Sequence, residues 1–418
     1  MNAPFHPDQP EPERDLPTRV RPFAKTRTPT PRWLRLLLGR ELAPSAAEYR
    51  EAGQALWDGD PLMDAWVDWM YEHGTREGRM LFEQALNHGI DSLSDPPEPL
   101  RALFAEADRR PDWLEPELLE EGARFIHGTG LTGPYVLRDL ALMGGYMLSG
   151  FNQALVRTGA LNKGASRRIA ETGKWWVDCT RPGGLERFAD GFRGTLHVRL
   201  VHSLVRRNLD RDPEWDHSHW GMPLSQIDMV ATYLGFSVVM LGGLRKMGLP
   251  VTRRESRAVM HLWRYACWLM GVEEKWLVDS EREGMVLLHH TFMTQSQPDW
   301  TSRELARALS REPLEREYPR LKQLRRRLAW HQHLSVSRYF LGRKKMKQLG
   351  LPTHILPWYP IITLPWRFAE YSAQRLVPPL NRRQQRRGRQ IQLDTLAAMF
   401  GEGEHDIIRP SGEHPART

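Results

Sequence analysis

Apolar residues recur along most of this chain at helical spacing, and runs alternating at strand spacing are scarce. Over residues 46–70 the pattern is carried by Tyr49, Ala52 and Leu56, then by Met63, Trp66, Val67 and Met70. Gly59-Asp60-Pro61 breaks it, placing Asp60 as N-cap and Pro61 as first residue of a second helix. Helices are also predicted over 80–87, over 99–107, and from Pro111-Asp112-Trp113-Leu114 to Phe125. Residues 134–155 are strongly apolar around Arg138-Asp139 and Gly144-Gly145. A glycine pair inside a helix admits either a crossing backbone or a flat ligand.

A helix with Arg168, Glu171, Thr172 and Trp175 on one face comes next, and Pro182-Gly183-Gly184 turns the chain into a helix over 193–209. On a wheel at ~100° per residue, Leu196, Val198, Leu200, Val201, Leu204 and Val205 fill one broad arc of that helix. His202 sits just past its edge, and Arg199 and Arg206 share the histidine's face. Two readings follow. One is an amphipathic helix with a boundary histidine and a solvated basic face. The other is an iron-porphyrin ligand, which needs a neutral imidazole, apolar walls and cations for the propionates.

Residues 214–223 form a polar-aromatic loop containing His217 and His219, and 224–244 is the most hydrophobic helix, with Asp228 and Thr232 one turn apart. Its uncharged part, 229–244, is shorter than the ~20 residues of a spanning helix and is expected to be buried. Another helix covers 255–270. Beyond residue 300 the texture changes to arginine-rich amphipathic helices over 301–310 and 314–348, a proline-spaced segment over 352–365 and a basic run. The expected fold is all-α. It divides into a disordered proline-rich lead (1–30), a helical domain (31–300), a basic helical extension (301–395) and a disordered tail (396–418).

Hydrophobic content of 40% with 26% charged residues is that of a soluble globular protein. Sixteen tryptophans favour thick helix packing or a roomy apolar pocket. The net charge of +8 concentrates at Arg325-Arg326-Arg327, Arg343-Lys344-Lys345 and residues 382–389. The last run lacks interleaved aromatics, so a peripheral membrane contact is the candidate partner there and no specific nucleic acid is expected. Two cysteines exclude a disulfide framework and a four-cysteine zinc site, although Arg181 near Cys179 suggests a lowered thiol pKa. The lead has no apolar signal core, and a cytoplasmic location, peripheral to a membrane at most, is expected.

Rival chemistries find little support. Glu-x-x-His occurs only at Glu214…His217 and Glu402…His405, neither on a predicted core helix, which argues against a di-iron carboxylate bundle. His-Glu-x-x-His, Gly-x-Ser-x-Gly and a phosphate-cradling glycine loop are absent. No Cys-x-x-Cys-His is present, so any haem would be held non-covalently.

Several blocks, in order, resemble the MpaB and latex-clearing-protein (rubber oxygenase) family. They are Gly59-Asp60-Pro61, Thr158-Gly159, Arg168-x-x-Glu171-Thr172, the stretch from Val198 to Arg206, Trp215-Asp216, Trp220-Gly221-Met222-Pro223-Leu224-Ser225-Gln226-x-Asp228 and Thr232…Phe236-Ser237. The resemblance spans roughly residues 50–300. It implies a globin-like helical core around b-type haem, with His202 as proximal iron ligand and Arg168 and Thr172 on the distal-side helix. Where rubber-cleaving members carry a distal lysine this chain has Glu171, and where they carry an acid/base glutamate it has only Asn152 or Gln153. The expected activity is a haem-dependent oxygenase using dioxygen on an apolar or lipid-like small molecule. Arg168, Glu171 and Thr172 are the expected catalytic residues, and Arg199 and Arg206 join His202 around the cofactor. The alternative is a non-catalytic haem- or lipid-binding helical protein at a membrane surface.

Overall fold

The break at Gly59-Asp60-Pro61 falls where one helix ends and another begins. Asp60 accepts a hydrogen bond from Met63 N at 3.3 Å, and Pro61 occupies the first turn. The computed structural model describes residues 14–27, 29–159 and 165–400, among which no strand occurs. Its helices are α1 (Arg32–Leu38), α2 (Ala46–Gln54), α3 (Pro61–His73), α4 (Thr75–His88), α5 (Glu98–Asp108) and α6 (Pro116–Gly128). They continue as α7 (132–145), α8 (Ser149–Arg157), α9 (Ala165–Cys179), α10 (Asp190–Asp210), α11 (Gln226–Lys246) and α12 (Arg253–Leu269). The last five are α13 (Glu281–Met293), α14 (Trp300–Arg311), α15 (Lys322–Gln348), α16 (Trp358–Leu376) and α17 (Pro378–Phe400).

Capping boxes start α2, α12 and α13, each a Ser or Thr paired with a Glu three residues on. Helix α12 is the central post, buried from Ala258 to Leu269. It meets α6 where a Cβ on Gly122 would lie 2.5 Å from Ala258 O, so only glycine permits that crossing. Helices α7 and α11 cross at Gly243, whose added Cβ would sit 2.4 Å from Val136 Cγ1. Each of these two contains a π-helical stretch, Leu137–Leu142 and Gly235–Val239, an irregularity frequent at functional sites. By length and composition α11 could cross a membrane, but 67% of its apolar window is buried by the other helices.

Three expectations change. The lead was expected disordered to residue 30, yet from residue 14 it is docked. Thr18 N donates to Ser218 O at 3.0 Å, and the buried Arg19 pairs with Asp228 at 2.7 Å. Residues 1–13 lie outside the described ones. The proline-spaced segment turns helical at Trp358, because Pro360 falls in the first turn, where its missing N–H costs nothing. The basic run belongs to α17, which continues to Phe400, past the expected boundary at 395. Residues 401–418, with Glu402…His405, lie outside the described ones.

The C-terminal helices pack on the core. A Cβ on Gly388 would stand 2.1 Å from His127 O, and Gln392 Nε2 donates to Ile126 O and Gly130 O. A buried charge cluster fastens α15 and the end of α14 to α7. In it Arg138 donates to Asp139, Glu312 and Leu309 O, Arg316 donates to Glu312, and His333 Nδ1 lies 2.6 Å from Asp139.

Candidate functional site

The four helices α7, α9, α10 and α11, with α8 and α17 beside them and α13 to α15 contributing, line a large cavity, open to solvent, of about 2860 Å³. That exceeds the ~300–1,000 Å³ of an ordinary small-molecule pocket and leaves room for a large cofactor and a second molecule. The walls are mainly apolar: Val198, Val201 and Val205 from α10, Met229 and Phe236 from α11, Leu140 and Ala141 from α7, Trp175 from α9. Trp175 is fixed by its Nε1 donating to Thr195 Oγ1 at 2.9 Å and by an edge contact with Phe236. The Gly144-Gly145 pair faces this space. Nothing comes within 4 Å of a Cβ built on Gly145, and one on Gly144 would make only ordinary contact with Leu341 Cδ2 at 3.5 Å, so the pair is not a tight helix crossing.

His202 lines the cavity, half-buried. Burial, then the nearby charges of Arg206 and Arg168, lower its pKa to about 4, and Asp60 only partly offsets them. The ring is therefore neutral near neutral pH. Its Nδ1 is buried without a hydrogen-bond partner, and no hydrogen bond to the ring occurs among the described residues. A neutral, unpartnered imidazole in an apolar wall suits a metal brought in by a cofactor. No group of three His, Cys, Asp or Glu side chains that could hold an ion by themselves occurs among the described residues.

The structure does not bring Arg199 and Arg206 to the cavity. Arg199 is buried and grips Asp60 through Nε (2.5 Å) and Nη2 (2.7 Å). Arg206 donates to Asp64 at 2.6 Å and to Leu224 O at 3.0 Å. Both tie α10 to the start of α3. Gln226 adds to this seam, donating to Gly59 O at 2.7 Å and Gly271 O at 2.8 Å. The Gly59-Asp60-Pro61 and Ser225-Gln226 blocks thus fix the register of the helix that carries His202.

Arg168, Glu171 and Thr172 all line the cavity. Glu171 pairs with Arg167 at 3.2 Å instead of with Arg168, leaving Arg168 without an ion pair among the described residues. Burial lowers the Arg168 pKa, partly countered by Tyr146 and Glu171. Arg168 is thus the cation available to an anionic group in this part of the cavity. Thr172 Oγ1 donates back to Arg168 O at 3.0 Å. Asn152 is committed elsewhere, to Tyr146 O and Ser302, and Gln153 to Asp299.

Two further polar groups line the cavity, one at Asp228, noted in the sequence only as a polar position of α11, and one at His333, which the sequence did not mark. Asp228 is held by Arg19, Ser225 and Gln295. His333, whose Nε2 is buried and unpartnered, also lines the cavity, grouped with Arg138, Asp139 and Tyr135. Only the charges inside the apolar 134–155 run hinted at that second group. His217 and His219 stand in the loop, His217 3.4 Å from Asp210 and His219 bonded to Thr18. Cys179 is buried, and burial raises its thiol pKa instead of lowering it.

Residues 129–369 match the family model described as ER-bound oxygenase mpaB/B′/rubber oxygenase, catalytic domain. Among solved structures the chain is similar to latex clearing protein LCP in the closed state. The TM-score is 0.61 at 18% identity, covering 80% of this chain and 90% of that one. No curated protein matches the sequence.

Proposed function

Because the chain belongs to the MpaB/rubber oxygenase catalytic-domain family, we propose that it is a b-type haem-dependent oxygenase acting on an apolar or lipid-like small molecule, with His202 as proximal iron ligand. One observation carries this reading. His202 presents a neutral ring, with no protein partner, to a large apolar cavity. When bound, the haem supplies the iron centre at which dioxygen is activated.

The chain's own residues supply the rest. Val198, Val201 and Val205, on the same helix as the ring, line the cavity with apolar surface. Arg168 offers its guanidinium to a propionate or to a substrate or dioxygen-derived oxygen carrying negative charge. Glu171, held by Arg167 in the cavity wall, is placed to keep or pass a proton near Arg168. The space beside Gly144-Gly145, in the same apolar lining as Met229 and Phe236, is where an apolar substrate lies.

Absorbance spectroscopy tests the proposal. Purified protein supplied with haem is expected to show a Soret band that His202→Ala loses and His289→Ala keeps. A protein that takes up no haem, or an unaltered band in His202→Ala, overturns it. Oxygen consumption with candidate apolar substrates then separates an oxygenase from a haem carrier.

A further inference from the structure

Helix α16 is turned inside out. At ~100° per residue, Ile362, Pro365, Trp366, Ala369, Ala373 and Leu376 share one face, and that face is bare. Trp366 is 72%, Ile362 69% and Leu376 83% exposed. The helix's two arginines point the other way, while the half-buried Glu370, at the edge of the strip, accepts from Gln374. Arg367 is buried against Met247 Sδ and over the Tyr359 ring, and Arg375 is clamped to Glu255 at 2.6 Å. An ordinary surface helix has the opposite arrangement. The bare strip continues through exposed Val377 and Leu380 into the next helix.

Cations flank this strip along the chain. Arg343, Lys344 and Lys347 stand exposed near the end of α15, and Arg382, Arg383, Arg386 and Arg387 near the start of α17. None of the seven has an ion-pair partner among the described residues. An apolar helical face with a tryptophan, bracketed by unpaired cations, matches the interfacial zone of an anionic bilayer. A second copy of the chain fits less well, because pairing two such faces brings basic clusters together in either direction.

We propose that α16 is an interfacial docking helix that seats this protein on an anionic lipid bilayer, with its Ile362–Trp366–Leu376 face in the headgroup layer. On the inner side, Tyr359 packs 5.4 Å from Tyr135, a residue of the cavity wall. A bilayer on the outer face thus lies one helix away from the cavity.

Flotation of the full chain with phosphatidylcholine vesicles, with and without phosphatidylglycerol, tests this. A second readout is an environment-sensitive fluorophore on Ala373→Cys, where the native Cys179 and Cys267 are buried and do not compete. The protein is expected to float with the phosphatidylglycerol vesicles, to be released by salt, and to blue-shift the probe. Ile362→Ser with Trp366→Ser should weaken binding more than about tenfold with an unchanged circular dichroism spectrum. Each alanine replacing one of the four α17 arginines should weaken it about fivefold. No flotation, or equal flotation by the double-serine variant, overturns the proposal. So does a dimer dissolved by that variant, which assigns the face to a second copy. Flotation that requires removal of residues 401–418 also overturns it, assigning the face to the tail.

Discussion

Three side chains of α10 that share a face on a helical wheel end in two environments. His202 reaches the cavity, whereas Arg199 and Arg206 turn to Asp60 and Asp64 on α3. Periodicity put the histidine at the edge of the buried arc, where it lines the cavity, because an apolar arc marks what a helix buries. It could not assign the arginines, since a long side chain goes where a carboxylate waits and those carboxylates lie about 140 positions away in sequence. The consequence is measurable. Arg199→Met removes the buried partner of Asp60 and should cost about 3–5 kcal/mol in urea unfolding. Adding Asp60→Asn, which keeps the N-cap but removes the stranded charge, should recover a good part of that loss. If Arg199→Met is as stable as the parent and instead loses haem, the arginine serves the cofactor after all.

Among the elements, boundaries set by Asp60-Pro61, the glycine turns and the caps were readable over much of residues 46–311, because their signals are local, but the break between α7 and α8 and the whole of α13 were not foreseen. The C-terminal third was less so. Prolines at 352–365 read as irregular chain, although Pro360 needs no N–H in its first-turn position and α16 runs on past Pro365. The docking of α17 was invisible, because it depends on one glycine meeting one carbonyl far away in sequence. Gly388 sits against His127 O, and α17 lends Ile391, Thr395 and Leu396 to the cavity wall. Gly388→Val should therefore lift this helix at a cost of about 1–3 kcal/mol. Trypsin should then cut faster at Arg386 and Arg387, and haem retention should fall with the damaged wall. An unchanged melting curve together with an unchanged tryptic rate would show that the contact does not hold α17.

For the molecule as a whole, burial of neutral histidines ties the core and the C-terminal helices to one pH response. His127 is buried between α6 and the end of α9, its Nε2 2.7 Å from Thr180 O, while Arg389 of α17 donates to Val177 O beside it. Burial, reinforced by Arg389, lowers its pKa to about 4 from an ordinary 6.5. His202 is lowered to a similar value, and His261, His289, His290 and His333 are lowered by burial as well. Between those two pH values an unfolded chain binds protons that the folded chain refuses. Their stabilisation is thus complete above pH 6.5 and drains away as pH falls toward 4. Asp139 works in the other sense: burial pushes it up to about 7 despite Arg138 and Arg316, so its contribution fades as pH rises. One carboxyl does not cancel the histidines, and the urea midpoint should drop on acidification through this window. In His127→Gln, which keeps a donor for Thr180 O but cannot titrate, the acid slope should be shallower by up to about 1.4 kcal/mol per pH unit. Identical slopes in the two proteins would mean that His127 is already protonated in the fold, and that the α6–α9–α17 junction accommodates a charge its geometry gives no means to satisfy.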